Sequence, residues 1–414
     1  MKRIVVIGGG LIGLSAALEC AKRGHRVTVV ERAPERRGAS FGNAGFVSPS
    51  HIIPLAAPGM VALGLKWMWN PESPFYIKPR LSWDLAMWAL RFWRASTQEK
   101  VERAAPLLRD LLLASREAFV QLANAGEDFG LVTKGLLVLC KTQQALDAEA
   151  HDAAMARELG VPAELLDTKQ TAALDPGVTM DIAGAAYFPR DCHLSPQRYV
   201  ATLEHRVRAA GGELKFGPSV TGWRRNGSRL DAVQTSEGDI AADEFILASG
   251  AWSSEMVREL GLRMPMQAGK GYSITLPHPI ELPQICSIFK EARVAVTPMG
   301  TALRFGGTME IAGFNEAINP RRITGILKAV PNFFPNFRRE HFEGIQPWCG
   351  LRPCSPDGLP YLGRTRAASN LVVATGHAML GLSLAPVTGA LAAQLIDGEP
   401  PRFDLTLLSP DRFA

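Results

Sequence analysis

The N-terminal stretch Lys2–Glu31 constrains this chain more than any other. It reads KRIVVIGGGLIGLSAALECAKRGHRVTVVE. Ile4–Ile7 is a β-branched apolar run of the kind that forms a strand buried on both faces. Gly8, Gly10 and Gly13 follow in the spacing G-x-G-x-x-G, and Leu11–Arg23 sets its apolar residues at helical intervals. Gly24 stops that helix, Arg26–Val30 predicts a second strand, and Glu31 stands at its end. Strand, glycine turn, helix, second strand and terminal acid together make the βαβ unit that holds a dinucleotide. Gly8 allows the tight turn, Gly10 lets the backbone approach a pyrophosphate, and Gly13 lets helix and strand pack closely. The helix N-terminus faces the phosphates and Glu31 accepts hydrogen bonds from a ribose. An acid at this place favours a free 2′-hydroxyl, so FAD or NAD rather than NADP.

The 414 residues allow two or three domains, and 47% hydrophobic with 21% charged residues suits a chain with a large core. A net charge of +5 with no basic block gives no reason to expect nucleic acid. Cys20, Cys140, Cys192, Cys286, Cys349 and Cys354 are scattered without C-x-x-C pairs, so neither a metal site nor a disulfide framework is expected. With no signal peptide ahead of the first strand, a reducing, cytoplasmic location is expected. Gly38–Leu65 carries no charge, but Pro49, Pro54 and Pro58, with Ser48, Ser50 and His51, interrupt it, which argues against a spanning helix.

After Glu31, Arg36–Ser50 is a loop by composition, rich in Gly, Ser and Asn, placed to return across a bound cofactor. Pro58–Arg94 holds Trp67, Trp69, Trp83, Trp88 and Trp93 among Lys66, Lys78, Arg80, Arg91 and Arg94. Met60–Trp69 and Trp83–Trp93 read as short amphipathic helices hinged by Pro71, Pro74 and Pro79. They serve either as packing for a substrate domain or as a lipid or partner surface. Glu102–Ala125, Gln144–Leu159, Glu164–Leu174, Gln197–Ala210, Arg321–Val330 and Pro386–Ile396 read as helices. Gly135–Lys141, Ala185–Phe188, Leu214–Phe216, Val220–Trp223, Phe245–Ala248 and Leu371–Ala374 read as strands. Gln267–Thr275, Ala292–Thr297 and Ala302–Thr308 look like strands of a separate sheet, and Trp348–Gly363 is turn-rich. The expected fold is α/β: a Rossmann-like dinucleotide domain from residues 1–50, 134–260 and 345–414. An inserted α+β substrate domain on an antiparallel or mixed sheet comes from residues 51–133 and 261–344.

At these residues the chain resembles the D-amino acid oxidase superfamily of flavoproteins, and within it the bacterial D-amino acid dehydrogenases. The resemblance rests on the βαβ and on Ser40-Phe41-Gly42-Asn43-Ala44-Gly45 with Ser48-Pro49, Ala56-Ala57-Pro58-Gly59 and Lys66-Trp67-Met68. It rests also on Gly350-Leu351-Arg352-Pro353, Ser355-Pro356-Asp357-Gly358, Ala374-Thr375-Gly376-His377 and Gly381, and more weakly on Gly269–Ser273. It covers nearly the whole chain, although Leu384-Ala385-Pro386 is more similar to the glycine oxidase branch. It implies non-covalent FAD held by Gly8, Gly10, Leu11, Ile12, Gly13, Glu31 and Arg32. Ser40, Asn43, Ala44 and Gly45 would pass near the flavin. Val220, Ser249, Gly250 and Trp252 would lie on the adenosine side, and Gly350, Gly376, Leu380, Gly381, Leu382 and Ser383 near the flavin edge. Arg352 matches the arginine that holds the substrate carboxylate, and Tyr272 a substrate-contacting tyrosine. Cys349 lies one residue out of register with a cysteine that bonds flavin in some relatives.

The residue types suit the chemistry. A permanently charged, planar guanidinium grips a carboxylate at two points and so fixes which Cα face meets the flavin. His51 is placed to line the substrate pocket. Lys270 is placed near the flavin or in solvent. The expected reaction is oxidation of a D-amino acid, or a cyclic imino acid such as D-proline or D-hydroxyproline. Electrons pass to a quinone or carrier protein, with peripheral contact at the inner face of the cytoplasmic membrane. The alternatives are a glycine or sarcosine oxidase using oxygen, and a flavoprotein subunit of a larger dehydrogenase complex.

Overall fold

The β-branched run at the N-terminus forms strand β1 (Arg3–Ile7), buried from Ile4 onward. Helix α1 (Leu11–Lys22) and strand β2 (Arg26–Glu31) follow it, in a computed structural model that describes residues 1–34, 38–68 and 72–414. Both neighbours of β1 are parallel to it: β2 on one side and Glu244–Leu247 on the other. The sheet continues through Glu213–Phe216 beyond β2, and through Ala368–Thr375 and the antiparallel edge Tyr361–Thr365 beyond Glu244–Leu247.

Alternation along these strands assigns the two faces. Ile4, Val6, Val27, Val29, Ile246 and Val372 pack with α1 and the helices Gln98–Asn124, Pro196–Ala209 and Ala385–Asp397. Val5, Ile7, Val30, Phe245 and Leu247 pack with a three-stranded antiparallel sheet, Val220–Asn226, Arg229–Thr235 and Gly238–Ala241, through Trp223, Leu230 and Val233. Only the first of those three strands is legible in the sequence, because its partners are mostly solvent-exposed and polar.

A second, nine-stranded mixed sheet carries the other half of the molecule. Next to one edge lies β3 (Gln267–Leu276), antiparallel both to β4 (Ala302–Ile311) and to the edge strand β5 (Trp348–Cys354). One face buries Ile274, Phe289, Val296 and Phe305 against the helix Pro320–Phe333, where the rings of Phe289 and Phe333 stack at 4.3 Å.

The sheets divide the chain differently from the sequence-based expectation. Leu136–Cys140, Glu164–Asp167 and Gly184–Phe188 belong to the nine-stranded sheet, not to the nucleotide sheet. Leu136–Cys140 is enrolled there by parallel pairing with Cys286–Phe289, a contact across about 150 residues that no local pattern encodes. Glu164–Leu174 is not one helix. Asp167 accepts from the Gln170 backbone and Gln170 returns the bond, a capping box that starts the helix at Thr168 and leaves Glu164–Asp167 as a strand. Trp348–Cys354 is a strand despite its turn-like composition; β5 is a sheet edge, where Pro353 costs no interior hydrogen bond.

The Trp-rich segment splits in two. Trp69 and Pro71 lie outside the described residues. Trp88 is buried and donates its indole N–H to the Cys354 carbonyl at 2.9 Å, while Leu81, Trp83 and Trp93 are exposed, Trp83 by 78%. Among the described residues, no helix is long and apolar enough to cross a membrane.

Candidate active site

The three fingerprint glycines serve different purposes. Gly8 has φ 109°, and a Cβ there would stand 2.5 Å from the Ala248 carbonyl oxygen. A Cβ on Gly13 would strike the Gly8 carbonyl, which is how the helix comes so close to the strand. Gly10 opens α1 without a side-chain cap, and Ser40 Oγ accepts from Leu11 N at 3.0 Å. Glu31 lies over this turn, its carboxylate accepting from Gly9 N at 2.8 Å and Ala33 N at 2.9 Å. Beside it the Arg32 guanidinium sits 3.7 Å over the Trp252 ring, and Trp252 stacks on Phe314.

The Asn43 loop is clamped from inside and from the second sheet. Asn43 Nδ2 donates to the Ser40 carbonyl and Oδ1 accepts from Gly45 N. Arg304 donates to the Asn43 carbonyl at 2.8 Å, Thr297 to the Ala44 carbonyl at 2.6 Å, and Ser273 to the Gly42 carbonyl at 2.9 Å. Arg304 is buried without a carboxylate partner among the described residues, and desolvation brings it down to about 10. Trp348 lies against the same loop: a Cβ on Gly42 or on Gly350 would enter its ring.

Arg352 extends from β5 across Gly271, whose missing side chain leaves room for the guanidinium. Its Nη1 donates to the Thr308 carbonyl at 2.8 Å. Thr308 has φ 66°, a left-handed conformation that costs a β-branched residue of order 1–3 kcal/mol and turns this carbonyl toward the arginine. Among the described residues no carboxylate pairs with Arg352, and burial holds it below its ordinary value. It is a desolvated cation with its remaining donors open on a cavity.

Tyr272 also lines that cavity, but its hydroxyl donates to Glu310, and burial followed by this bond pushes its ionisation far up. The proton that sequence reasoning would offer to a substrate is therefore committed to Glu310. Lys270 reaches neither flavin region nor solvent: it is 1% exposed, donating to the Ala317 carbonyl at 2.8 Å and lying 3.6 Å from Glu310. Cys349 points its Sγ at the Glu316 carbonyl, 3.0 Å away, and is absent from the cavity wall. His51 does line the cavity; burial lowers its ring to about 4, helped by the charges of Arg293 and Lys290.

The C-terminal turn completes the wall. Ser383 Oγ donates to the Phe46 carbonyl and accepts from Ser48 N, which joins this turn to the Asn43 loop. Leu380, Gly381 and Leu382 line the cavity just ahead of helix α2 (Ala385–Asp397), whose N-terminus has no side-chain cap. His377 does not use its charge: its Nε2 meets Thr388 Oγ1 at 3.0 Å, and burial lowers it to about 3.

One continuous cavity of about 1640 Å³ joins all of these parts. That exceeds the ~300–1,000 Å³ typical of a single small-molecule pocket, as a dinucleotide together with a substrate requires. Val220, Ser249, Gly250, Trp252 and Gly350 line it with the residues above, so nearly every expected cofactor position meets on one wall system. Gly13 and Gly376 do not. Gly13 packs strand to helix, and Gly376 gives way to the ring of Tyr361. Ser50, Asp191, Arg304, Thr308 and Trp348 escape sequence reasoning. Arg304 alone carries a visible signal, a charge set between Leu303 and Phe305 in a strand whose other charge is Glu310. The residues fit a flavin dinucleotide: a side-chain-free glycine cradle, a helix N-terminus at α2 without a side-chain cap, and an acid at the end of β2.

Comparison with known proteins agrees. A D-amino acid dehydrogenase of Cereibacter sphaeroides is 35% identical over 422 residues, covering 100% of this chain and 95% of that one. Another, of Bradyrhizobium diazoefficiens, is 33% identical over 423 residues, covering 100% and 99%. Glycine oxidase from Geobacillus kaustophilus superposes with a TM-score of 0.81 at 26% identity over 100% of both chains. L-proline dehydrogenase from P. horikoshii shares the fold, with a TM-score of 0.72 at 19% identity over 100% and 97% of the two chains. Residues 3–395 match the family described as FAD dependent oxidoreductase, DAO, and with a cradle, a clamped loop and a cavity that suit that cofactor, the chain belongs to this family of FAD-dependent enzymes.

Proposed function

We propose that this protein is an FAD-dependent dehydrogenase that oxidises a D-amino acid, or a small cyclic imino acid such as D-proline or D-hydroxyproline, at Cα. The observation that carries the reading is Arg352: a desolvated guanidinium on the cavity wall with no acidic partner among the described residues. A buried cation left unpaired is costly unless an anion arrives, and a substrate carboxylate is such an anion. The names of the two relatives above supply the substrate class and the dehydrogenase assignment.

In this reading Gly8, Gly10 and Glu31 hold the adenosine and pyrophosphate, while Asn43–Gly45 and Gly381–Ser383 hold the ring system. Bound FAD supplies the two-electron acceptor for the Cα hydride. The chain's own residues do the positioning. Thr308 and Gly271 set the direction of Arg352, and Arg352 then fixes the carboxylate so that one Cα face is presented. Arg304, Thr297 and Ser273 hold in place the Asn43 loop that would receive the ring system. Electrons leave to a quinone or carrier. The exposed Leu81, Trp83 and Trp93, flanked by Arg80, Arg91 and Arg94, support contact with a membrane surface where such an acceptor resides.

The test is anaerobic bleaching of the flavin band near ~450 nm, a property of the cofactor itself. The panel contains D- and L-amino acids, glycine, sarcosine and both prolines. Bleaching by D-substrates, with little peroxide on admission of air, supports the proposal. Preferential bleaching by glycine or sarcosine with peroxide release overturns it in favour of an oxidase.

A further inference from the structure

Ser50 and Asp191 stand outside the cofactor and carboxylate contacts, yet they meet His51 at the cavity wall. Ser50 Oγ donates to Asp191 Oδ2 at 2.6 Å and lies 3.2 Å from His51 Nδ1. Asp191 is fully buried in the turn ahead of Cys192–His193, and Ser50 N also donates to it, at 3.0 Å. Its nearest cation is Arg116 of the helix Gln98–Asn124, whose Nε is spent on the Arg190 carbonyl. His51 Nε2 has no hydrogen-bonding partner among the described residues, and the ring lines the same cavity as Arg352.

We propose that His51, Ser50 and Asp191 form a proton relay that removes a proton from the substrate's ammonium group, with His51 as the base and Asp191 as the final acceptor. The proposal rests on the amino-acid substrate class proposed above. Oxidation at Cα needs the nitrogen lone pair, and a substrate at neutral pH arrives with that pair protonated.

The two distances serve both ends of the transfer. With Asp191 ionised, Ser50 donates to it and accepts from His51 Nδ1–H, so Nε2 presents a bare lone pair to the cavity. The substrate N–H bond breaks as Nε2–H forms. Nδ1–H passes to Ser50 Oγ, and the serine's own proton passes to Asp191 Oδ2. The substrate becomes a neutral amine, the carboxylate becomes a carboxylic acid, and the imidazole ends neutral in its other tautomer. Net charge inside the cavity is unchanged.

The electrostatics favour this division of labour. Burial opposes an imidazolium at His51, and the charges of Arg293 and Lys290, from the Cys286–Met299 hairpin, add to that, so the ring does not keep the proton. Lys290 is itself paired with Glu149 and Asp152 of the helix Gln143–Glu158. Burial raises Asp191 to about 7, against the Ser50 bonds and the distant Arg116 charge, so it accepts a proton where a surface aspartate would not. Cys192 and Cys286, also beside Asp191, are pushed up by burial and carry no charge.

Ser50→Ala removes only the bridging hydroxyl and keeps the backbone donor to Asp191. It is expected to lower kcat/KM about 10²-fold at neutral pH, within the usual range for acid–base catalysis. That deficit should shrink toward wild type as the pH rises and the substrate enters as free amine. His51→Gln should behave alike. In the purified protein, nitrogen NMR of His51 should show a tautomer exchange with pH that Ser50→Ala abolishes. A deficit equal at every pH, no deficit at all, or a single His51 tautomer across the range overturns the relay. If the wild-type protein oxidises no amino acid, the substrate reading falls instead. The NMR result alone then decides the relay.

Discussion

Gly271→Ala places one methyl group where the structure has the Arg352 guanidinium. A Cβ built on Gly271 falls far inside contact distance of Cζ and both terminal nitrogens of that side chain. The obstacle is the flexible end of a side chain rather than backbone, so the strand remains and the arginine moves. Reaching an ordinary contact requires a displacement of roughly 1 Å, and misplacement of that size at a reacting centre costs about 10²-fold in rate. The bond from Arg352 Nη1 to the Thr308 carbonyl would be broken or bent, while the pairing of Gly271 with Gly350 would not. Alanine also removes the backbone freedom of a strand glycine, worth about 0.5–1 kcal/mol in favour of folding. The expected variant therefore melts at or slightly above the wild-type temperature, keeps its flavin, and loses about 10²-fold in kcat/KM. Binding of a substrate-like carboxylate, read as a perturbation of the flavin spectrum, should weaken in parallel. A Gly271→Ala enzyme with wild-type kcat/KM and carboxylate affinity would refute the assignment of Arg352 as the anchor.

Three more tests probe other parts of the reasoning. Arg304→Leu deletes the donors to the Asn43 carbonyl and to Thr275 Oγ1; one charge-assisted bond to the loop, about 1.5–3 kcal/mol, should appear as a 10-fold or greater rise in the dissociation constant for FAD, measured by apoprotein titration. His51 and His193 are lowered to about 4 and His377 to about 3 by burial, so the native rings stay neutral while the unfolded chain takes up protons below about 6.5. Asp191, raised to about 7, works the opposite way and offsets one of the three. Stability should fall by about 2 kcal/mol per unit between pH 6.5 and 4.5 from these groups, and equal urea midpoints at pH 7 and 5 would contradict it. Trp83→Asp with Trp93→Asp should abolish cosedimentation with anionic vesicles while leaving anaerobic bleaching intact, because both rings are exposed and neither lines the cavity.

What could be read in the sequence was what neighbours in the chain decide. The glycine spacing, the β-branched runs and the acid after Val30 act within one βαβ unit, and the structure brings them together as their chemistry requires. Arg352 was legible because a short surrounding motif marks it. Contacts made across the chain left little trace. Tyr272 looked available until Glu310, on the neighbouring strand, took its proton. Asp191 sat in a turn that gave it no visible role, and only the fold brings it to Ser50, 141 residues away. The run Leu136–Cys140 resembled any buried strand, and which sheet it joins depends on Cys286–Phe289. Thr308 carries no signal at all, since nothing in a threonine announces a left-handed backbone.

The order of strands in the nucleotide sheet has a consequence for how the molecule is made. β1 leaves the ribosome well before its neighbour Glu244–Leu247, and Ala368–Thr375, which continues the sheet beyond that neighbour, follows later still. Helix α2, packed closely against α1 through Gly389 and Ser15, comes later still. The βαβ at Arg3–Glu31 must wait with an open edge until Glu244–Leu247 has been made, a state that invites mispairing and suits protection by chaperones. The flavin chamber is then completed only once Leu380–Ser383, far along the chain from the glycine turn, have been made.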